Sequence, residues 1–185
     1  MLEIDATLQI GAHQADVQLT VQPGEAVGLW GPNGSGKTTI MRHVSGLAGV
    51  LDGRIANAGQ VWDEPGSRTF VEATGRYVGY IFQELRLFDW QSVTDHLQLV
   101  ASWRQQSAED GVPIDELIEA FDLGGIASQT IGTLSGGQQT RVGIARSFIA
   151  APSVVLLDEP FASLDESTRS QVANTYNGKI KPGAF

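Results

Sequence analysis

The chain contains no cysteine, which excludes disulfides, thiol nucleophiles and Cys-ligated metal sites. It is also short of positive charge. Twelve Lys and Arg stand against 21 Asp and Glu, a formal charge of −9, and no run of basic residues occurs. A nucleic-acid-binding surface needs clustered cations to displace counterions, so none is expected. Long apolar runs are missing as well: purely aliphatic stretches are as short as Val154-Val155-Leu156-Leu157, far below the ~20 residues that span a bilayer. The opening Met1-Leu2-Glu3-Ile4-Asp5 has acidic groups where a secretory signal has basic ones. The expectation is a cytoplasmic chain that meets a membrane only through a partner. Two further scarcities matter below. Leu2 to Val21 holds no Phe, Tyr or Trp, and the histidines are His13, His43 and His96 alone.

What is present is ordinary for a globular fold, with 42% hydrophobic and 18% charged residues in 185 positions, enough for one well-cored domain. Leu2, Ile4, Ala6, Leu8 and Ile10 alternate with polar residues, as do Ala15, Val17, Leu19 and Val21. With Gly11-Ala12-His13 between them, the two runs predict an antiparallel β pair. Pro23-Gly24 marks a turn, and Ala26–Trp30 reads as a short buried strand. A helix is expected from Lys37 to Leu47, then strands at Arg54–Asn57, near Val61, and at Tyr77–Phe82. Val93 to Phe121 is helical in character with a break at Gly111-Val112-Pro113, and Ser92-x-x-Asp95 would cap its start. Ser135-x-x-Gln138 opens another helix that runs to Ala150; Val154–Leu157 reads as a fully buried strand, and Glu166–Tyr176 as a helix. No linker divides the chain. One domain over 1–185 is expected, with a helical subdomain at about 84–150 and a tail at 177–185.

Gly31-Pro32-Asn33-Gly34-Ser35-Gly36-Lys37-Thr38 fits G-x-x-x-x-G-K-[ST] at every position, after an expected strand and before an expected helix. Glycines let backbone N–H groups curl around phosphates, and a helix N-terminus favours anions. Lys37 should reach the β- and γ-phosphates, and the Thr38 hydroxyl should ligate Mg²⁺. Gly31 through Thr39 are therefore the candidate ATP-binding residues. Downstream, Asp158-Glu159-Pro160 closes an aliphatic strand, at the edge where doubly wound sheets bind ligands. Asp158 suits a Mg²⁺ ligand, and Glu159 suits the group that polarises an attacking water.

Leu134-Ser135-Gly136-Gly137-Gln138 matches the LSGGQ signature of ABC ATPases, and the resemblance covers most of the chain. Phe82-Gln83-Glu84 resembles that family's Q-loop and Ser163-Leu164-Asp165 its D-loop; Gln139-Thr140-Arg141 departs from the commoner Gln-Gln-Arg in its middle residue. The resemblance implies an α/β fold of the P-loop NTPase, ABC ATPase type. Its core sheet is mainly parallel, with an N-terminal antiparallel β subdomain and an inserted helical subdomain. It also implies ATP and Mg²⁺ as cofactors, with Gln83 joining Thr38 and Asp158 around the metal and Glu159 and Gln83 serving catalysis. The implied partners are a second copy, arranged head to tail, and an integral membrane permease. In that dimer Ser135, Gly136, Gly137, Gln138 and Asp165 contact the nucleotide held by the other copy. Leu85, Leu87, Phe88 and Trp90 are unusually apolar for a loop; they either form the groove for a permease helix or pack the helical subdomain.

The compact β pair and the run Arg76 to Phe88 are most similar to the ATP-binding subunits of bacterial molybdate importers, so powering import of a small solute is the implied function. Two rival functions stay open, a nucleotide-binding regulatory module with impaired catalysis and a soluble ABC ATPase outside transport; a third, a P-loop kinase, is opposed by the second signature and the lack of an acceptor site. The family also carries a switch histidine beyond the D-loop. No histidine follows His96 here, so a C-terminally truncated pattern with weak turnover is expected. The family stacks adenine on an aromatic of the β pair; His13 is the substitute available, and loose base selectivity is expected.

Overall fold

A computed structural model describes residues 1–103 and 111–158. They divide into two compact units, the first ending at Val78 and the second beginning at Gly79. No described helix is long and apolar enough to cross a membrane.

The first unit is built on a five-stranded antiparallel sheet. Strands β1 (Leu2–Ile10) and β2 (His13–Val21) form the expected hairpin, paired from Leu2 with Val21 to Ile10 with His13. β1 also pairs with β3 (Asp52–Asn57), followed by β4 (Gln60–Glu64) and the two-residue β5 (Thr69–Phe70), giving the order β2-β1-β3-β4-β5. The alternation in β1 is the burial pattern: Leu2, Ile4, Ala6 and Leu8 are buried, and the residues between them are not. Ile55 and Trp62 complete the layer, and α1 (Lys37–Val44) packs on β1. Gly53 has φ +79, and a Cβ there would run into the Asp5 carbonyl, so only glycine lets β3 approach β1 at this point.

Arg76 ties this unit together. It is 1% exposed, donates to four carbonyl oxygens and pairs with Asp63. Nε donates to Val71 O at 2.7 Å, Nη1 to His43 O and Val44 O at 2.7 and 3.0 Å, and Nη2 to Trp62 O at 3.3 Å. Asp63 lies 3.8 Å from Nη2, and the guanidinium sits over the Trp62 and Phe70 rings. The group thus closes the C-terminal end of α1, where carbonyls lack helical partners, onto β4 and β5. Burial pulls the Arg76 pKa down and pushes that of Asp63 up. Each is opposed by the charge of the other, and the Val50 amide further supports the Asp63 carboxylate.

The second unit holds a two-stranded parallel sheet, β6 (Val78–Ile81) and β7 (Val154–Leu157), with helices α2 (Val93–Ser102), α3 (Ile114–Ala120) and α4 (Gly136–Phe148). Ile81, Val93, Leu97, Leu117, Leu123, Ile131, Val142, Ile144 and Phe148 form its core. Both expected N-caps are present. Ser92 Oγ accepts from the Asp95 amide, and Ser135 with Gln138 makes a reciprocal capping box. Arg141 ties α4 to the end of α3, donating to Asp122 O at 2.9 Å and to its carboxylate at 3.1 Å.

Two expectations need correction. Ala26–Trp30 is not a buried strand: it is non-regular, and Trp30 is 95% exposed. No described strand pairs with it, and an apolar run without ladder partners has nothing to hold it extended or cover it. Val154–Leu157 is a strand but only half-buried throughout. The predicted helix Glu166–Tyr176 and the tail 177–185 lie outside the described residues.

Candidate nucleotide-binding site

Gly31 through Ser35 form an exposed loop that leads into α1. Gly34 and Gly36 have φ +81 and +97, a region L side chains rarely adopt, and a Cβ on Gly31 would meet Ser35 Oγ at 2.6 Å. The Ser35 amide bonds Pro32 O at 3.2 Å, closing the loop into a turn. Gly36 is the N-cap and offers no side chain to the first helical amides, and the first turn carries no acidic residue. An amide-lined, uncapped helix start of this kind receives an anion. Lys37 folds over the loop, its Nζ donating to Gly31 O at 2.9 Å and Pro32 O at 3.1 Å. Thr38 is exposed, Thr39 is half-buried, and the Thr39 carbonyl is held by His43 Nδ1 at 2.8 Å.

The end of the β1–β2 hairpin stands against this loop. A Cβ on Gly36 would lie 2.7 Å from Ile10 Cδ1 and Cγ2, and Ile10 is paired with the exposed His13. Sequence reasoning had no signal for this contact, because it depends on the loop's left-handed turn. An open cleft of about 430 Å³ lies at the other end of α1, lined by Gly46 to Gly49, Phe70 and Glu72 to Thr74. It has none of the predicted residues.

Within the second unit, the Asp158 amide donates to Ile81 O at 2.9 Å. This sets the C-terminal ends of β6 and β7 side by side. Asp158 is buried there, and the exposed Gln83 lies two residues beyond Ile81. The Ser135 segment is a helix tip: Leu134 is buried, Ser135 and Gly136 are exposed, and the Ser135 amide donates to Gln138 Oε1 at 2.8 Å. Gln138 is thereby committed to the cap. Thr140, the departure from the signature's usual continuation, is buried with its hydroxyl on Gly136 O at 2.9 Å. Gln139 Nε2 donates to Ile131 O and Leu134 O at 3.2 and 3.4 Å, fixing the approach to the tip. Glu159, Ser163, Leu164 and Asp165 lie outside the described residues.

The apolar segment after Gln83 divides its duties. Leu85 and Leu87 pack against the second unit's core. Phe88 sits among rings, 5.2 Å from Trp90, 5.3 Å from His96 and 6.1 Å from Trp103, and the two tryptophans are 76% and 61% exposed. His96 is 1% exposed and neither ring nitrogen has a partner. Burial, with repulsion from Arg146, pushes its pKa down to about 4. Arg146, whose Nη2 and Nη1 donate to Leu85 O and Arg86 O at 2.9 and 3.0 Å, drew no notice in the sequence, because backbone carbonyls leave no mark there.

Residues 14–162 match the protein family described as ABC transporter. The aliphatic sulfonates import ATP-binding protein SsuB of Bacillus licheniformis is 40% identical over 157 residues, 85% of this chain and 57% of that protein. The molybdenum import ATP-binding protein ModC of Aromatoleum aromaticum is 35% identical over 157 residues, 85% of this chain and 41% of that one. The sulfate/thiosulfate import ATP-binding protein CysA of Gloeobacter violaceus is 35% identical over 159 residues, 85% and 44% respectively. The chain thus spans about half the length of the curated relatives it matches. Among solved structures, cbiO1 from Clostridium perfringens, part of the ABC transporter complex cbiONQ, superposes with a TM-score of 0.78 at 23% identity, covering 95% of this chain and 72% of that one. The dimeric ATP-binding cassette MJ0796 bound to ADP and Pi gives 0.72 at 23% identity, covering 95% and 81%. An uncapped glycine loop closed by a lysine, a serine-led helix tip and these matches agree: the chain belongs to the ABC transporter family of ATP-binding proteins.

Proposed function

We propose that this chain binds ATP–Mg²⁺ and supplies the energy of ATP hydrolysis to a membrane importer of a small oxyanion. The observation that carries the nucleotide reading is the phosphate loop: left-handed glycines, an N-cap without a side chain, and Lys37 across the loop carbonyls. Gly31 to Thr39 hold the triphosphate, with Lys37 on its β- and γ-phosphates. Thr38, Gln83 and Asp158 are the proposed Mg²⁺ ligands, since a hydroxyl, an amide oxygen and a carboxylate are the hard oxygen donors this ion takes. When bound, the ion neutralises phosphate charge. Glu159 orients the attacking water, and Gln83 senses it.

Two copies act head to tail. The Ser135–Gln138 tip of one, with its Asp165, closes on the nucleotide held by the other; an exposed helix start whose capping box leaves out the Gly136 and Gly137 amides supports this role. The exposed rings of Trp90 and Trp103 around Phe88 support docking of a permease helix near Leu85–Trp90, which would hold the chain on the inner face of the cell membrane. Three of the relatives are named for import of aliphatic sulfonates, molybdenum and sulfate/thiosulfate, which supports a small oxyanion as the cargo, molybdate being one member of that class. A second reading is a nucleotide-binding regulatory module, which binds ATP without turning it over.

Equilibrium titration with ATP–Mg²⁺ tests the core of this proposal. Saturable binding that falls at least tenfold with Lys37→Ala supports it. No saturable binding by the wild-type chain, or equal binding by the variant, defeats it. Residual slow hydrolysis that ends with Glu159→Gln separates the transport ATPase from the regulatory module.

A further inference from the structure

We propose that Arg146 and Gly143 are positioning residues that seat the segment after Gln83 on the helix led by Ser135. The two nucleotide-facing motifs of the second unit would then respond as one body. The proposal rests on the nucleotide-binding role given above and adds the part that joins its motifs.

Arg146 lies in the last turn of α4, roughly three turns from Ser135. Its Nη2 donates to Leu85 O at 2.9 Å and its Nη1 to Arg86 O at 3.0 Å. Successive carbonyls of an extended chain face opposite ways. Here both face one guanidinium, and Arg86 has φ +50, a left-handed bend that is unfavourable for a side-chain-bearing residue. The Arg86 side chain is itself held over the Phe82 ring, 4.9 Å from its centroid. One turn before Arg146, Gly143 provides the floor: a Cβ there would stand 3.1 Å from Leu85 Cδ2. Leu85 is therefore pressed onto bare helix backbone at Gly143 and held by its carbonyl at Arg146.

The electrostatics point the same way. Arg146 is removed from solvent enough that burial lowers its pKa, and no described carboxylate pairs with it. A half-buried cation spent on two loop carbonyls is an expensive way to pack a helix. It is an effective way to fix a loop, because a planar guanidinium sets both distance and orientation. Gln83 lies two residues upstream of this seat, and the Phe88–Trp90 rings begin two residues downstream of Arg86. Closure of nucleotide on the Ser135 tip would thus reach the aromatic surface through α4 as a rigid rod.

Hydrogen exchange of the 185-residue chain, with and without ATP–Mg²⁺, tests the seat. In the wild type, nucleotide should slow exchange at residues 37–44, 136–140 and 85–88 together, by threefold or more in the last segment. In Arg146→Ala the response at 37–44 should remain while that at 85–88 is lost, and Arg146→Lys should restore part of it. Gly143→Ala covers the case in which Arg146→Ala fails to fold. Alanine favours the helix, so the melting temperature should hold or rise while the 85–88 response still falls; a purely structural role for Gly143 would not separate the two. An undiminished response at 85–88 in folded Arg146→Ala or Gly143→Ala overturns the proposal. No response at 37–44 in the wild type removes the nucleotide-binding role, and this proposal with it.

Discussion

Replacing His96 by leucine should remove a pH dependence of folding stability. His96 sits in the first turn of α2, one position beyond Asp95, whose amide donates to the capping Ser92. Its ring is edge-on to Phe88, both nitrogens lack partners, and Gln91 Oε1 is likewise buried without one. Burial and the Arg146 charge hold the pKa at about 4, against 6.5 for a free histidine. The charged form is therefore disfavoured in the folded state. Between these values the unfolded chain binds more protons, so stability is intact above pH ~6.5 and falls as the pH drops towards 4. The full loss is about 3 kcal/mol, at 1.36 kcal/mol per pH unit, and about 2 kcal/mol of it is reached by pH 5. Leucine removes the proton acceptor and the two unsatisfied nitrogens, the latter worth about 1 kcal/mol or more at pH 7.5. Urea unfolding of both proteins at pH 7.5 and pH 5 measures each effect. The stability gap between variant and wild type should widen by about 2 kcal/mol on acidification. A gap that changes by less than ~0.5 kcal/mol would show that His96 is not held neutral by its surroundings.

Other perturbations probe the first unit. Arg76→Met keeps much of the volume but strips four carbonyl oxygens and Asp63 of their partner, so it should cost about 3–5 kcal/mol in denaturant unfolding. A loss below ~1 kcal/mol would mean that water replaces the latch. Gly53→Ala meets both a positive φ and the Asp5 carbonyl, so it should destabilise by well over ~1 kcal/mol and loosen β1–β3 pairing, read as faster exchange of the Leu2–Thr7 amides.

Much of the architecture is legible because the physics is local. Strict alternation in Leu2–Ile10 marks one buried face, and Ser-x-x-Asp or Ser-x-x-Gln ahead of a helix states its own capping bonds. The glycine loop is readable for the same reason, since left-handed turns at Gly34 and Gly36 demand that residue. Ala26–Trp30 misleads because apolar composition promises burial only when a neighbouring strand provides the ladder and the cover. Leu85–Trp90 could not be divided between core and surface from spacing alone; the structure assigns its leucines to the core and leaves Trp90 outside. Arg76 and Arg146 were invisible for one shared reason. Each is defined by backbone carbonyls far away in sequence, and any residue can supply a carbonyl.

Mixing two inactive variants tests the shared grip on the triphosphate most directly. Lys37→Ala breaks the phosphate loop and Ser135→Arg blocks the helix tip, so neither homodimer has a complete site. A mixed dimer has one: the Lys37 of the Ser135→Arg copy faces the intact Ser135 of the other. ATP-dependent dimerisation, followed by sedimentation velocity, should be lost for each variant alone and return in the mixture with about half the tightly bound ATP of wild type. A mixture that behaves as the average of its two components would contradict the head-to-tail site.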